Sequence, residues 1–347
     1  TLEDFDRFDL AFAPFLDPAP IEVDPEDGVL GIQTFNLGIT ENEFDTDAIF
    51  ARIAYETADA RWRFSAEARY QDEEKTLTNL RGATPIEFND SWSSFTPRFT
   101  VDYRLNDNQM LYASIAKGEK AGGFNANVFN EIQRTYEPDE NWTYELGSKN
   151  DLLGGRLRVN AAVFYTDWTD LQFTVAPVDI PDNLVQNPPG VVGNTNGAEI
   201  IGVEFDGTWF ATDMLSFDYA LSHTKAEYSN GALSGRLGLA GACDGIICPA
   251  DGSIDGNQLQ RQPETQASLS ASLAGTAANN WEWYARADVN YQSKQYVDEF
   301  NLGWVPDRTL VNVRAELSNQ NWRLSLWGKN IFDEEYGANS FATFLPT

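Results

Sequence analysis

Charged side chains recur at alternate positions in several segments of this chain, so they are the first candidates for chemistry. Successive side chains of a strand point to opposite faces, which puts such charges on one shared face. A face with both signs supports two interpretations. It is either a mutually neutralising network packed against another part of the protein, or a path for an anionic ligand. The residues concerned are Arg63, Glu67, Arg69, Arg98, Asp102, Arg104 and Arg158.

Four large aromatic side chains stand in segments that are otherwise polar: Trp168, Phe173, Phe300 and Trp304. Aromatic rings in polar segments are suited to stacking on the apolar surface of a bound molecule. We therefore regard these four residues as candidate ligand contacts.

The sequence indicates no catalytic constellation. Its lone histidine, His223, stands beside serine and threonine without the base–nucleophile–orienter set of a triad, and we expect it at the rim of a strand. The glycine-rich run at 118–125 lacks the Lys-Ser/Thr ending of a phosphate loop. No calcium-loop or zinc-ligand spacing appears. We expect a protein that is not an enzyme and carries no metal or cofactor.

Two cysteines, Cys243 and Cys248, lie close together in GACDGIICPADG. A small loop disulfide in an oxidising compartment is the favoured interpretation, and two free thiols are the alternative.

Acidic residues outnumber basic ones by 53 to 24, giving a formal net charge of -29 and a pI near 4.2. This balance excludes nucleic acid as a partner, because phosphates require clustered lysine and arginine. Much of the acid lies between strand patterns and in the opening segment. No apolar run approaches the roughly 18 residues of a transmembrane helix, whereas transmembrane strands need no such run.

Alternation of apolar and polar residues is the dominant pattern from residue 45 onward. In 61–71, for example, Trp62, Phe64 and Ala66 oppose Arg63 and Glu67. About twelve such segments of roughly 10 residues occur, which is the length of a tilted membrane strand. The sequence therefore predicts an all-β protein.

The predicted links alternate strictly between tight turns and long loops. A soluble sandwich has no reason for this regularity, whereas outer-membrane barrels have tight periplasmic turns and long extracellular loops. Aromatic residues also gather at strand ends, as in an interfacial girdle. We predict an antiparallel up-and-down transmembrane β-barrel whose apolar face contacts outer-membrane lipid and whose charged face lines the lumen.

This orientation puts both ends of the strand series on the extracellular side. We expect residues 1–44 to form an acidic extracellular loop or strand end and residues 45–347 to form a transmembrane barrel segment. A barrel of this type begins and ends inside, and an open sheet leaves unsatisfied edges in hydrocarbon. The expectation is therefore a partial barrel that lacks strands at both ends.

Four motifs carry a resemblance to a known family. LYASIAKGEKAGGFN (111–125), YEPDENWTYELGSKNDLLGGRLRVNAAVFYTDWTDLQ (136–172), NGAEIIGVEFDGTWF (196–210) and LWGKNIFDEEYG (326–337) closely resemble the barrel of TonB-dependent outer-membrane receptors. The match covers nearly everything from Asp45 to Gly337. The resemblance implies a barrel of twenty-two strands with an N-terminal plug domain, of which this chain would hold roughly the second half.

The resemblance also implies a function. Such a receptor in the outer membrane of a Gram-negative bacterium captures a scarce nutrient, of the siderophore-iron, cobalamin or oligosaccharide class. The TonB protein and an inner-membrane complex then supply energy by pulling on the plug. We expect the plug, the TonB-contact segment and a closing strand that ends in an aromatic residue to lie outside this sequence. The alternative function is a passive porin-like channel.

Overall fold

The computed structural model describes residues 40–79, 85–125, 134–175, 191–229, 231–234 and 252–337. All of them belong to one compact unit, Ile39–Thr347. Residues 1–39 of the acidic opening segment and the cysteine pair Cys243 and Cys248 lie outside the described residues.

The described chain is almost entirely β-structure. Two short 3₁₀ turns, Leu153–Gly155 and Ala278–Asn280, interrupt it, and no described helix is long and apolar enough to cross a membrane. The strands are β1 (Thr40–Glu56), β2 (Trp62–Asn79), β3 (Ile86–Asn106), β4 (Gln109–Lys120), β5 (Gly123–Phe124), β6 (Thr135–Tyr136), β7 (Asp139–Leu152), β8 (Leu157–Thr169), β9 (Gln172–Val175), β10 (Val191–Asn194), β11 (Gly197–Phe210), β12 (Leu215–Tyr228), β13 (Thr265–Ala277), β14 (Trp281–Gln292), β15 (Gln295–Tyr296), β16 (Trp304–Val305), β17 (Arg308–Ser318) and β18 (Arg323–Gly328).

Twelve of these strands form one antiparallel sheet in the order β1-β2-β3-β4-β7-β8-β11-β12-β13-β14-β17-β18. Each strand pairs with its neighbour in the series, as in an up-and-down barrel wall. The links at one end of the sheet are tight, and those at the other end are longer and contain the pairs β5–β6, β9–β10 and β15–β16. We call these the short-link end and the long-link end. The all-β prediction is confirmed. The link lengths alternate as predicted from β3 onward, whereas the link between β2 and β3 is short, because β2 ends at Asn79 and β3 begins at Ile86.

The pairing register gives this sheet two chemically different faces. One row across the strands runs through Tyr55, Phe64, Val101, Ala113, Leu146, Val163 and Val203. Many large apolar side chains on this face are exposed, including Leu146 at 57% and Leu269 at 49%. An exposed apolar face of this extent is what a lipid-facing wall requires. The opposite, polar face carries the charged residues.

Strands β1, β2 and β3 are longer than the sequence predicts, with 17, 18 and 21 residues. The alternation of apolar and polar residues stops after residue 71 and resumes at 95, which predicts a polar link at 72–94. Instead, β2 continues to Asn79 and β3 begins at Ile86. The prediction of a link was wrong because alternation is a signal only where one face is apolar. A hairpin that projects beyond the bilayer has water on both faces, so its strands can be polar throughout.

The sheet forks at its long-link end between β3 and β4. Their ladder ends at the pair Arg98 and Ala116, although β3 stays paired with β2 up to Ile86 and β4 with β7 up to Lys120. The fork begins next to Pro97, which has no N–H to donate to a neighbouring strand.

Candidate functional site

The seven predicted charged residues share the polar face, as their register positions show. Glu67 stands directly opposite both Arg52 and Arg98. Its carboxylate forms an ion pair with Arg52, with 2.9 Å between Arg52 Nε and Glu67 Oε1. Toward the short-link end, Arg104 lies 3.8 Å from Glu56, and Arg158 donates to Asp151 at 2.9 Å. Neutralising pairs therefore account for part of the set.

Three arginines of the set have no carboxylate partner among the described residues. Arg63 and Arg98 form no ion pair with the residues that the structure describes, although Asp102 faces Arg63 in the register. Arg69 is held by an amide instead, because its Nε and Nη2 donate to Gln71 Oε1 at 3.0 and 2.8 Å. Arg63, Arg69 and Arg98 on the polar face of β2 and β3 are thus not held by ion pairs with described residues.

A second polar network spans β12, β13 and β14, and we did not predict it. Arg286 donates to Asp288 at 2.7 Å, to Asp218 at 3.0 Å and to Ser270 at 2.8 Å. Ser270 in turn donates to Asp288 at 2.6 Å. The serines at alternate positions of β13 were visible in the sequence, but only the register shows which charges they face.

Two recesses open between the strands at different places. The serine recess has a volume of about 530 Å³ and is lined by Glu204, Asp206, Ser222, Ser268 and Arg308, among others. The fork recess has a volume of about 450 Å³ and lies where β3 and β4 separate. Four cations line it, Arg69, Lys75, Lys117 and Lys120, together with Glu73, Glu119 and the ring of Trp92.

Three of the four predicted ligand aromatics lie in or against a small hydrophobic core formed by the long links. Phe173 and Phe300 are 7% and 8% exposed, and Trp168 packs against their cluster with Tyr228 and Ile254. The rings of Phe173 and Phe300 therefore contact other residues of the chain rather than solvent, and Trp168 is partly buried against them. Trp304 differs, because it is 59% exposed on the β15–β16 pair.

Sequence reasoning missed this loop core because its parts come from three separate links. Leu171 and Phe173 come from one link, Ala232 and Ile254 from the next, and Phe300 from a third. Bonds from an amide side chain to the backbone of a neighbouring link help to hold them together. Gln258 N donates to Asn301 Oδ1 at 2.8 Å, and Asn301 Nδ2 donates to Gln258 O at 2.9 Å. Asn125 makes the same two-way contact with the backbone of Val192. Two acids, Asp298 and Glu299, are fully buried beside the core.

Asp298 and Glu299 are bound by their own surroundings. Asp298 accepts the backbone N–H groups of Phe300, Leu302 and Gly303 at 2.7–3.1 Å, which closes the turn between β15 and β16. Glu299 accepts from Ser234 at 2.8 Å. Both acids thus serve the fold of the loops.

His223 lies on the apolar-face side of β12, near the strand's long-link end, as the predicted rim position requires. Its Nδ1 is 2.9 Å from Thr265 Oγ1. No group of three or more His, Cys, Asp or Glu residues with metal-binding geometry occurs among the described residues.

An antiparallel sheet of sequential strands, apolar on one face and charged on the other, with tight and long links at opposite ends, defines a transmembrane β-barrel wall. The family model for the TonB dependent receptor-like β-barrel matches residues 4–331 of this chain. The chain belongs to the TonB-dependent receptor family, and its place is the outer membrane of a Gram-negative bacterium.

Known proteins of the family resemble the chain at low sequence identity. The probable TonB-dependent siderophore receptor PiuA of Acinetobacter baumannii is 24% identical over 302 residues, which is 83% of this chain and 36% of that protein. The metal-pseudopaline receptor CntO of Pseudomonas aeruginosa is 24% identical over 291 residues, 81% of this chain and 36% of that protein. The chain thus spans about a third of the length of these relatives.

Solved structures show the same fold. The ferric yersiniabactin uptake receptor FyuA of Yersinia pestis superposes with a TM-score of 0.71 at 17% identity, over 88% of this chain and 43% of that one. The PiuA structure gives a TM-score of 0.69 at 19% identity, over 87% and 41%.

Proposed function

We propose that this chain is part of an active importer that carries a metal–siderophore complex across the outer membrane. The observation that carries the proposal is the family membership, together with relatives named as a probable siderophore receptor and a metal-pseudopaline receptor. The polar face supports it, since charged and hydroxyl side chains there are spared the cost of contact with lipid if they line a lumen.

In this mechanism the long links form the extracellular side and capture the ligand. Trp304 is the candidate aromatic contact among them because its ring is exposed. Arg63, Glu67, Arg69, Arg98, Asp102, Arg104 and Arg158 line the lumen. A plug domain closes the barrel, and TonB with its inner-membrane complex supplies the energy that moves the plug.

Deleting the gene that encodes this chain, in its own bacterium under iron limitation, tests the proposal. We expect uptake of radiolabelled iron from at least one class of ferric chelate to be lost and to return on complementation. Uptake should also stop when the proton gradient is collapsed. A passive porin-like channel predicts the opposite, because diffusion through it needs no gradient. Unchanged iron uptake in the deletion strain would contradict import.

A further inference from the structure

The fork leaves one strand edge of the sheet without a neighbour. Beyond the pair Arg98 and Ala116, β3 stays paired with β2 as far as Ile86, whereas β4 follows β7. We call residues 87–95 of β3 the open edge. The described residues supply no strand on its free side.

The register identifies the backbone groups that point to this free side. Residues of an antiparallel strand alternate between bonding one neighbour and bonding the other. Arg104 N donates to Arg61 O at 2.8 Å, and the β2–β3 register runs without a shift, so the even-numbered residues of β3 bond β2. The N–H and C=O groups of the odd-numbered residues therefore point to the free side. Ser91 N agrees, since it donates to the side chain of Asp90 at 2.9 Å.

Elsewhere the chain covers a strand edge that extends beyond its ladder. β12 continues past its pairing with β13, and link residues take the place of the missing strand. Tyr228 N donates to Asn257 O and Leu259 N donates to Ala226 O, both at 2.9 Å. The open edge has no such cover among the described residues. It also contains no lysine, proline or bulge, which are the usual protections of an exposed edge.

Acidic side chains surround the open edge on the side of the sheet that carries the apolar face. Asp45 and Asp47 of β1 stand directly opposite Glu74 and Asp72 of β2, and all four are exposed. Like charges in this arrangement repel each other. Glu87 adds an exposed carboxylate on the open edge itself. A strand that binds here therefore gains from carrying lysine or arginine.

We propose that the open edge binds an extended, basic segment of another protein, which adds a strand to β3. The backbone of the segment pairs with the odd-numbered residues, as in other cases of strand addition. Ser91 and Ser93 stand opposite Glu74 and Asp72, and both serines are small, so long basic side chains reach over them to these acids. A second copy of this chain is a poorer partner because it brings the same acids to the contact. The proposal goes beyond nutrient import and does not depend on it.

The test uses the whole protein, purified in detergent, and a probe peptide of about nine residues in which lysine and threonine alternate. Calorimetric titration should show binding that weakens with added salt. The same peptide with N-methylated backbone amides keeps its charge and loses its donors, so it should bind about tenfold more weakly or worse. A peptide with glutamate in place of lysine should not bind.

The substitution S93P tests the edge itself. It removes one donor from the free side and places a ring there, whereas the β2 ladder is formed by the even-numbered residues and stays intact. We expect the lysine peptide to bind S93P about tenfold more weakly. The matched control S93A also loses the hydroxyl bond to Asp72 but keeps the N–H, so its affinity should stay within about twofold of the wild type. Unchanged hydrogen exchange of residues 72–79 shows that S93P keeps its hairpin.

Four outcomes overturn the proposal. The wild type binds no lysine peptide, which means that the edge is already covered. The N-methylated peptide binds as tightly as the unmodified one, which means that charge alone accounts for binding. S93P binds the peptide as S93A does. The wild type forms a dimer that S93P dissociates, which assigns the edge to a second copy. Iron uptake is measured separately, and its loss or persistence decides only the import proposal.

Discussion

The long-link end of the sheet is built in two opposite ways. Above β8 to β17, described residues of three links pack on one another around the buried side chains of Tyr228, Ile254 and Phe300. Above β2 to β4 the sheet forks, and Lys75 and a few polar bonds hold the opening. An apolar core makes a segment rigid but has nothing to offer a charged ligand. A polar recess contributes less to stability than an apolar core does, but its side chains stay available for binding.

We expect the largest difference between the two regions from a substitution of Ile254, which is fully buried in the loop core. The substitution I254A should lower the free energy of local opening of the link by about 3 kcal/mol, because it removes buried methyl groups and leaves a cavity. The twelve-stranded sheet should keep its stability, since it forms its own ladders. Hydrogen exchange of residues 252–259 measures the local change.

The control for I254A is L233A in the same link, where the leucine is 52% exposed and little stability is at stake. If I254A and L233A accelerate exchange equally, the links are not held by a shared core. The contrast with the fork recess would then disappear.

The second largest effect is expected in the polar network around Arg286, which spans β12, β13 and β14. R286A leaves Asp218 and Asp288 without their common partner, and we expect a loss of about 2 kcal/mol in the free energy of unfolding. R314A removes an exposed pair from the neighbouring strand and should cost about 0.5 kcal/mol or less. Urea titration of both variants and the wild type in detergent micelles measures these changes in the free energy of unfolding. Equal losses would show that the network contributes no more than a surface pair.

The sequence predicts the sheet but not the recesses, and the reason is physical. Alternation is a local pattern, so the strands, the two faces and the order of links follow from residues close in the chain. The fork depends on where a ladder stops, and Pro97 was its only local sign. The loop core depends on residues from three links, and for that reason Phe173 and Phe300, predicted as ligand contacts, lie inside it. The charged ends of β2 and β3 show no alternation, because water contacts both of their faces, so the sequence predicts a link where the structure has strands.

The smallest effect tests whether the fork is held open by Lys75. K75M keeps most of the apolar stem but removes the bond to Gly122, the pair with Glu73 and the contact with the Trp92 ring. Because Lys75 is mostly buried, we expect backbone amides of residues 122–125 to exchange faster, by about 1.5 kcal/mol in the free energy of opening. Trp92 emission should shift toward that of an exposed indole.

The control for K75M is K225M, where the lysine is 57% exposed and bonds Glu227 on the same strand. Its effect should be about 0.5 kcal/mol or less, as for other exposed pairs. If K75M changes exchange at 122–125 no more than K225M does, the two arms of the fork are joined by something other than this lysine. If the amides of 122–125 become fully exchangeable, a single cation holds the recess, and opening it needs far less free energy than opening the loop core.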